Sequence, residues 1–106
     1  MKKINFELLI RDRVPAIIEK SGRNVIVEQA SPSEFKELLH FKLNEVLSHY
    51  DSSHDILDLI KVIDVVEALA KLEGYSEEDV LKIREDIVKK KGSYDKRLVL
   101  KEINYE

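Results

Sequence analysis

The side chains with the most chemical promise form a row of charges spaced by three and four: Asp55, Asp58, Lys61, Asp64, Glu67 and Lys71. On a helix they lie along one narrow stripe. Carboxylates at this spacing on two facing helices are how bundles hold hard divalent cations. Such cations neutralise polyphosphate and position an attacking water. Lys61 stands between Asp58 and Asp64, however, so the row also reads as a self-neutralising line of charges on a solvated face. His40, His49 and His54 offer imidazoles, but no two are spaced i, i+3 or i, i+4, and they read as surface or helix-margin residues. With no cysteine, thiolate metal sites, cysteine nucleophiles and disulfides are all excluded. Three isolated glycines cannot form a phosphate loop, and no nucleophile elbow occurs.

Composition sets the frame that must position this row. The chain has 106 residues, enough for one domain, and a net charge of −3 from 18 basic and 21 acidic residues, which excludes a basic nucleic-acid coat. Gly 3 and Pro 2 are too few for the frequent turns of sandwiches or barrels, so helices are expected. Lys2 and Lys3 are not followed by an uninterrupted apolar stretch, so neither a signal peptide nor a membrane span is expected. The absence of cysteine suits a reducing compartment, and the expected location is cytoplasmic.

Four helices follow from the punctuation. Ile4 to Ile10 reads as extended and leads to Asp12, an N-cap, with Pro15 in the first turn of a short helix that stops at Gly22. Asn24 to Gln29 reads as extended, with Val25, Ile26 and Val27 favouring strand. Ser31-Pro32-Ser33-Glu34 starts a second helix, whose apolar face runs through Phe35, Leu39, Leu43, Val46 and Tyr50 to a connector at Asp51-Ser52-Ser53. A third helix, from about His54 to Glu73, is apolar around most of its circumference, a pattern that belongs at the centre of a bundle or in a dimer. Ser76-Glu77-Glu78-Asp79 starts a fourth, closed by Lys89-Lys90-Lys91 and Gly92. The tail, with Leu98-Val99-Leu100, reads as extended. The expected fold is all-α: a bundle of about four helices in a single domain, with short extended segments at both ends.

Leu9-Ile10-Arg11-Asp12-Arg13-Val14-Pro15-Ala16-Ile17-Ile18 resembles the opening of MazG-like, phosphoribosyl-ATP-pyrophosphohydrolase-like proteins. The likeness continues through Lys42-Leu43-Asn44-Glu45, through Ala68 to Ser76, and through Lys91-Gly92-Ser93-Tyr94-Asp95-Lys96-Arg97, four stretches in order over nearly the whole chain. The resemblance implies an all-α, oligomeric nucleotide pyrophosphohydrolase. Its Mg²⁺ would be held by Glu-Glu-x-x-Glu on one helix and Glu-x-x-Asp on the next, for cleavage between the α and β phosphates. Aligned without gaps, the first motif falls on Glu45, Val46 and His49, and the second on Asp58 and Lys61. Only Glu45 and Asp58 are acidic. A valine cannot bind Mg²⁺, histidine is a poor ligand for so hard an ion, and a lysine places a cation where the metal should sit.

The resemblance therefore implies a divergent pyrophosphohydrolase-like protein, weakened in or stripped of Mg²⁺-dependent hydrolysis but retaining a nucleotide ligand. Arg11, Arg13, Lys61, Lys96 and Arg97 are its phosphate-binding candidates. Two alternatives stay open. One is an active enzyme with a relocated metal site drawn from Glu45, Asp58 and Asp64, with Glu67 one turn along; Glu45 and Asp58 are then the catalytic candidates. The other is an oligomeric interaction module. A homodimer or higher homo-oligomer is expected, with neither a membrane nor a nucleic acid as partner. On this register, Val46→Glu, His49→Glu and Lys61→Asp together would create Mg²⁺ affinity.

Overall fold

The computed structural model describes residues 8–105. The described chain is all-α, with α1 at Val14–Lys20, α2 at Pro32–Ser53, α3 at Ile56–Leu72 and α4 at Glu77–Lys91. It divides into two units, one up to Gly74 and one from Tyr75 onward. No helix among the described residues is long and apolar enough to cross a membrane.

In the first unit α2 and α3 form the body. Ser31 is the N-cap of α2, its hydroxyl accepting from the Glu34 amide at 3.2 Å, with Pro32 at the first position, where its missing N–H is no loss. Only His54 and Asp55 separate the two helices. His54 takes the left-handed conformation, φ 53°, and its amide donates to the Tyr50 carbonyl at 2.8 Å. Its ring meets Tyr50 edge-on, with centroids 5.7 Å apart. Asp55 then caps α3 by accepting from the Leu57 amide at 2.9 Å. So tight a turn makes the helices antiparallel neighbours.

The far end agrees: Lys36 at the start of α2 bonds Glu73 just past α3, Nζ to Oε1 2.8 Å. That hydrogen bond, and then the lysine's charge, hold the Glu73 carboxyl below its ordinary pKa. With Lys36 level with Glu73, each step forward on α2 meets one step back on α3. Leu39 and Val46, seven residues apart, present one face. They are buried together with Val65 of α3, and these three side chains are the enclosed core among the described residues.

Two expectations need correction. Arg13, rather than Asp12, occupies the N-cap of α1, at φ −92° and ψ −5°, and no side chain caps the helix; the chain has already turned helical there, so Asp12 lies one residue too early. Asn24 to Gln29 forms no strand, and Ile26 is 94% exposed. Leu98-Val99-Leu100 forms neither helix nor strand and is exposed, which leaves the expectation of an extended tail unchanged. β-Branched residues favour a strand only where another strand pairs with them, and there is no sheet among the described residues. The N-terminal extended segment, from Ile4, falls outside the described residues up to position 7. The apolar wrap of α3 is also only partly covered: Val65 is buried, while Ile56, Leu57, Ile60, Ile63 and Val66 are exposed.

The second unit is α4 and the tail. Ser76 and Asp79 form a capping box, Asp79 amide to Ser76 Oγ 3.1 Å and Ser76 amide to Asp79 Oδ2 2.9 Å. The bond from the Ser76 amide lowers the Asp79 carboxyl pKa, with the hydroxyl adding to it. Gly92 ends the helix at φ 82°, its amide on the Val88 carbonyl at 2.7 Å. Ser76→Ala is expected to cost α4 about 1 kcal/mol, measured as faster amide hydrogen exchange through the helix.

Candidate functional site

Asp58 and Asp64 of the α3 stripe are each answered by a neighbour. Asp58 lies in the first turn of α3, where Ser53, at the end of α2, donates its hydroxyl to Oδ2, and Lys61 Nζ stands 3.7 Å from Oδ1. Asp64, two turns on, accepts from Arg11 Nη2 at 2.6 Å, which ties the segment before α1 to the middle of α3. Glu45 of α2 pairs with Lys42 one turn back, at 3.3 Å. These pairs are exposed or half-buried, so each contributes little to stability, yet each places a cation where a metal ion would have to approach.

The register decides whether the carboxylates can meet. Glu45 is level with Asp64, and Asp58 with Asp51. Asp58 is therefore six residues from the level of Glu45, about 9 Å along the axis at 1.5 Å per residue. Helical side chains lean toward their own N-termini. Along antiparallel helices this points Asp58 toward the hairpin turn and Glu45 away from it. Mg²⁺ needs oxygens at about 2.1 Å in a near-octahedral set, which these two cannot supply jointly. Val46, at the second position of the family motif, is 2% exposed and belongs to the core. His49 is exposed on α2. Among the described residues no three His, Cys, Asp or Glu side chains gather as a metal site. The side chains present do not fit the implied Mg²⁺.

What α3 does offer is a groove of about 310 Å³ along its second half, lined by Phe35, Asp64, Glu67, Ala68, Lys71 and Leu72. Phe35 supplies an aromatic wall from α2, and the charged residues form the opposite rim. Asp64 and Glu67, the pair one turn along from the family positions, thus share a cavity, although Arg11 occupies the first of them. The remaining candidates lie elsewhere. Arg13 begins α1. Lys61 is committed to Asp58. Lys96 and Arg97 follow α4 in the second unit, in a turn closed by the Arg97 amide on the Tyr94 carbonyl at 3.1 Å, with Arg97 at φ 54°.

Two contributors escaped the reading of the sequence. Ser53 was a connector serine, and only the two-residue turn brings it onto Asp58. Phe35 counted as an apolar-face residue, and nothing in its spacing marks it as a groove wall. Compared with protein-family models, curated proteins and solved structures, the chain matches none.

Proposed function

We propose that this chain is a MazG-like helical protein that binds nucleotide without hydrolysing it. The observation that carries the loss of hydrolysis is that Glu45, Asp58 and Asp64 are each already engaged by a cation or hydroxyl of this chain, with Asp58 at a different level from the other two. Without a divalent ion there is nothing to polarise the phosphoanhydride or lower the pKa of water. Binding makes smaller demands. Arg11 beside the groove can exchange Asp64 for a phosphate, and a guanidinium recognises either in the same bidentate way. Phe35 offers an apolar wall for a base. Asp64 and Glu67 disfavour a bare polyphosphate, so a ligand with little charge, or one that holds its phosphates at the Arg11 end, is preferred.

Incubation with a nucleotide panel and Mg²⁺ or Mn²⁺ is expected to release no pyrophosphate, and calorimetry is expected to register nucleotide binding that Arg11→Ala weakens. Pyrophosphate release that Asp58→Ala abolishes would establish the active-enzyme alternative instead. A second reading, an oligomeric interaction module, is favoured by the apolar residues that α3 leaves exposed, Ile56, Ile60, Ile63 and Val66. It takes precedence if no nucleotide of the panel binds.

A further inference from the structure

We propose that the end of α4 and the tail beyond it, residues 89–101, form a docking surface for an anionic lipid bilayer. The near-neutral total of the chain conceals how unevenly its charge is distributed. Over these thirteen residues Lys89, Lys90, Lys91, Lys96, Arg97 and Lys101 stand against one acid, Asp95, whereas the rest of the chain carries 12 bases against 20 acids. A surface contact needs no spanning helix, only clustered bases with apolar side chains beside them.

Helix chemistry explains part of the cluster. Lys89, Lys90 and Lys91 fill the last turn of α4, at the negative end of its dipole. The dipole accounts for neither Lys96, Arg97 and Lys101 nor the apolar run between the last two. Gly92 closes the helix at φ 82°, and the Arg97 amide bonds the Tyr94 carbonyl at 3.1 Å in the turn that follows. Lys96 therefore lies within about 17 Å of Lys91, the reach of five residues. Among the described residues no carboxylate pairs with any of the six bases. Tyr94 is 98% exposed, and Leu98, Val99 and Leu100 are exposed too.

Charge narrows the occupant to an anion, and the apolar residues decide which. Nucleic acid is gripped by bases interleaved with aromatic platforms, but Leu98, Val99 and Leu100 are aliphatic and offer no π-face for stacking. An acidic protein needs a fixed shape to match, and beyond Gly92 the described segment has neither helix nor strand. A lipid surface asks for no matching shape. Its headgroup anions take the bases, and the aliphatic run leaves water at the boundary with the acyl chains. Tyr94 suits the same depth, its ring in the apolar layer and its hydroxyl in water.

The full chain is expected to sediment with vesicles of phosphatidylcholine containing about 30% phosphatidylserine, and not with phosphatidylcholine alone. Raising salt from about 0.05 to about 0.5 M should release most of it. Lys96→Gln with Arg97→Gln should weaken binding about 25-fold, about fivefold for each charge removed. Lys20→Gln with Arg23→Gln, the same charge change in the first unit, should alter it less than about twofold. Leu98→Ser with Leu100→Ser should weaken it about tenfold and, lying beyond the last helix, leave circular dichroism unchanged. Equal sedimentation with both vesicle types, or with neither, overturns the proposal. So do tail variants that bind like wild type, or a first-unit variant that loses as much. Displacement by excess soluble phosphoserine overturns it in favour of a discrete phosphate site, and tighter binding to a single-stranded oligonucleotide than to the vesicles in favour of a nucleic acid.

Discussion

Val46→Glu is expected to abolish cooperative folding of the first unit at neutral pH, although it places an acid where the MazG-like motif has one. Val46 is 2% exposed, the most deeply buried side chain of the core among the described residues. No cation is paired into the core around it, since Lys42 already bonds Glu45 and Lys61 bonds Asp58. A carboxylate there loses its hydration without gaining a partner, a cost of more than about 4 kcal/mol and comparable with the whole stability of a small domain. The sign of the pH dependence identifies the cause. Burial raises the folded-state pKa of the new carboxyl above the unfolded value of about 4.3, so the penalty is full above the raised value and shrinks as pH falls toward 4.3. Circular dichroism should therefore find the variant unfolded at pH 7 and partly refolded near pH 4.5. His49→Glu, on the exposed side of α2, should melt within about 0.5 kcal/mol of wild type. The triple change that would install the family's acids thus breaks the hairpin before it can hold a metal.

Position 46 also marks what the sequence could and could not disclose. The helix ends were readable because they depend on local chemistry: Ser31 and Ser76 each accept from the backbone where their spacing expects, and Gly92 closes α4. Asp12 was misplaced as a cap because the turn begins one residue later, a matter of backbone geometry rather than residue type. The Val25-Ile26-Val27 segment could not be settled locally, because a strand requires a partner that only the whole chain can supply. Within the α3 stripe only Lys61 pairs with an acid of the same row, Asp58, while Ser53 and Arg11 reach Asp58 and Asp64 from across the hairpin and from 53 residues away. Pairing at that range depends on register, which one helix's spacing does not contain. The same register carries Glu45 and Asp58 to different levels, although alignment on a motif places them in one site.

Leu39→Ala is the second change with a large expected effect, and it tests how little holds this unit together. Leu39 is 3% exposed, one turn-pair before Val46 on the same face, and it packs in a core that, among the described residues, otherwise contains only Val46 and Val65. Truncation removes the transfer free energy of the lost atoms and leaves a cavity the two remaining side chains are too small to fill, about 3 kcal/mol in all. In a large core that loss is absorbed; here it removes most of one of three enclosed contacts and brings the hairpin close to half-unfolded. Leu57→Ala supplies the contrast. Leu57 is 64% exposed on α3, so the same chemical change there should shift stability by no more than about 0.5 kcal/mol. Urea melts followed by circular dichroism read both. If the two variants lose equal stability, Leu57 is as enclosed in solution as Leu39, and the face of α3 that bears it is covered by a partner. A large loss at Leu39 with almost none at Leu57 places the folding free energy of this unit in the α2–α3 seam and leaves the outer face of α3 free to recognise something else.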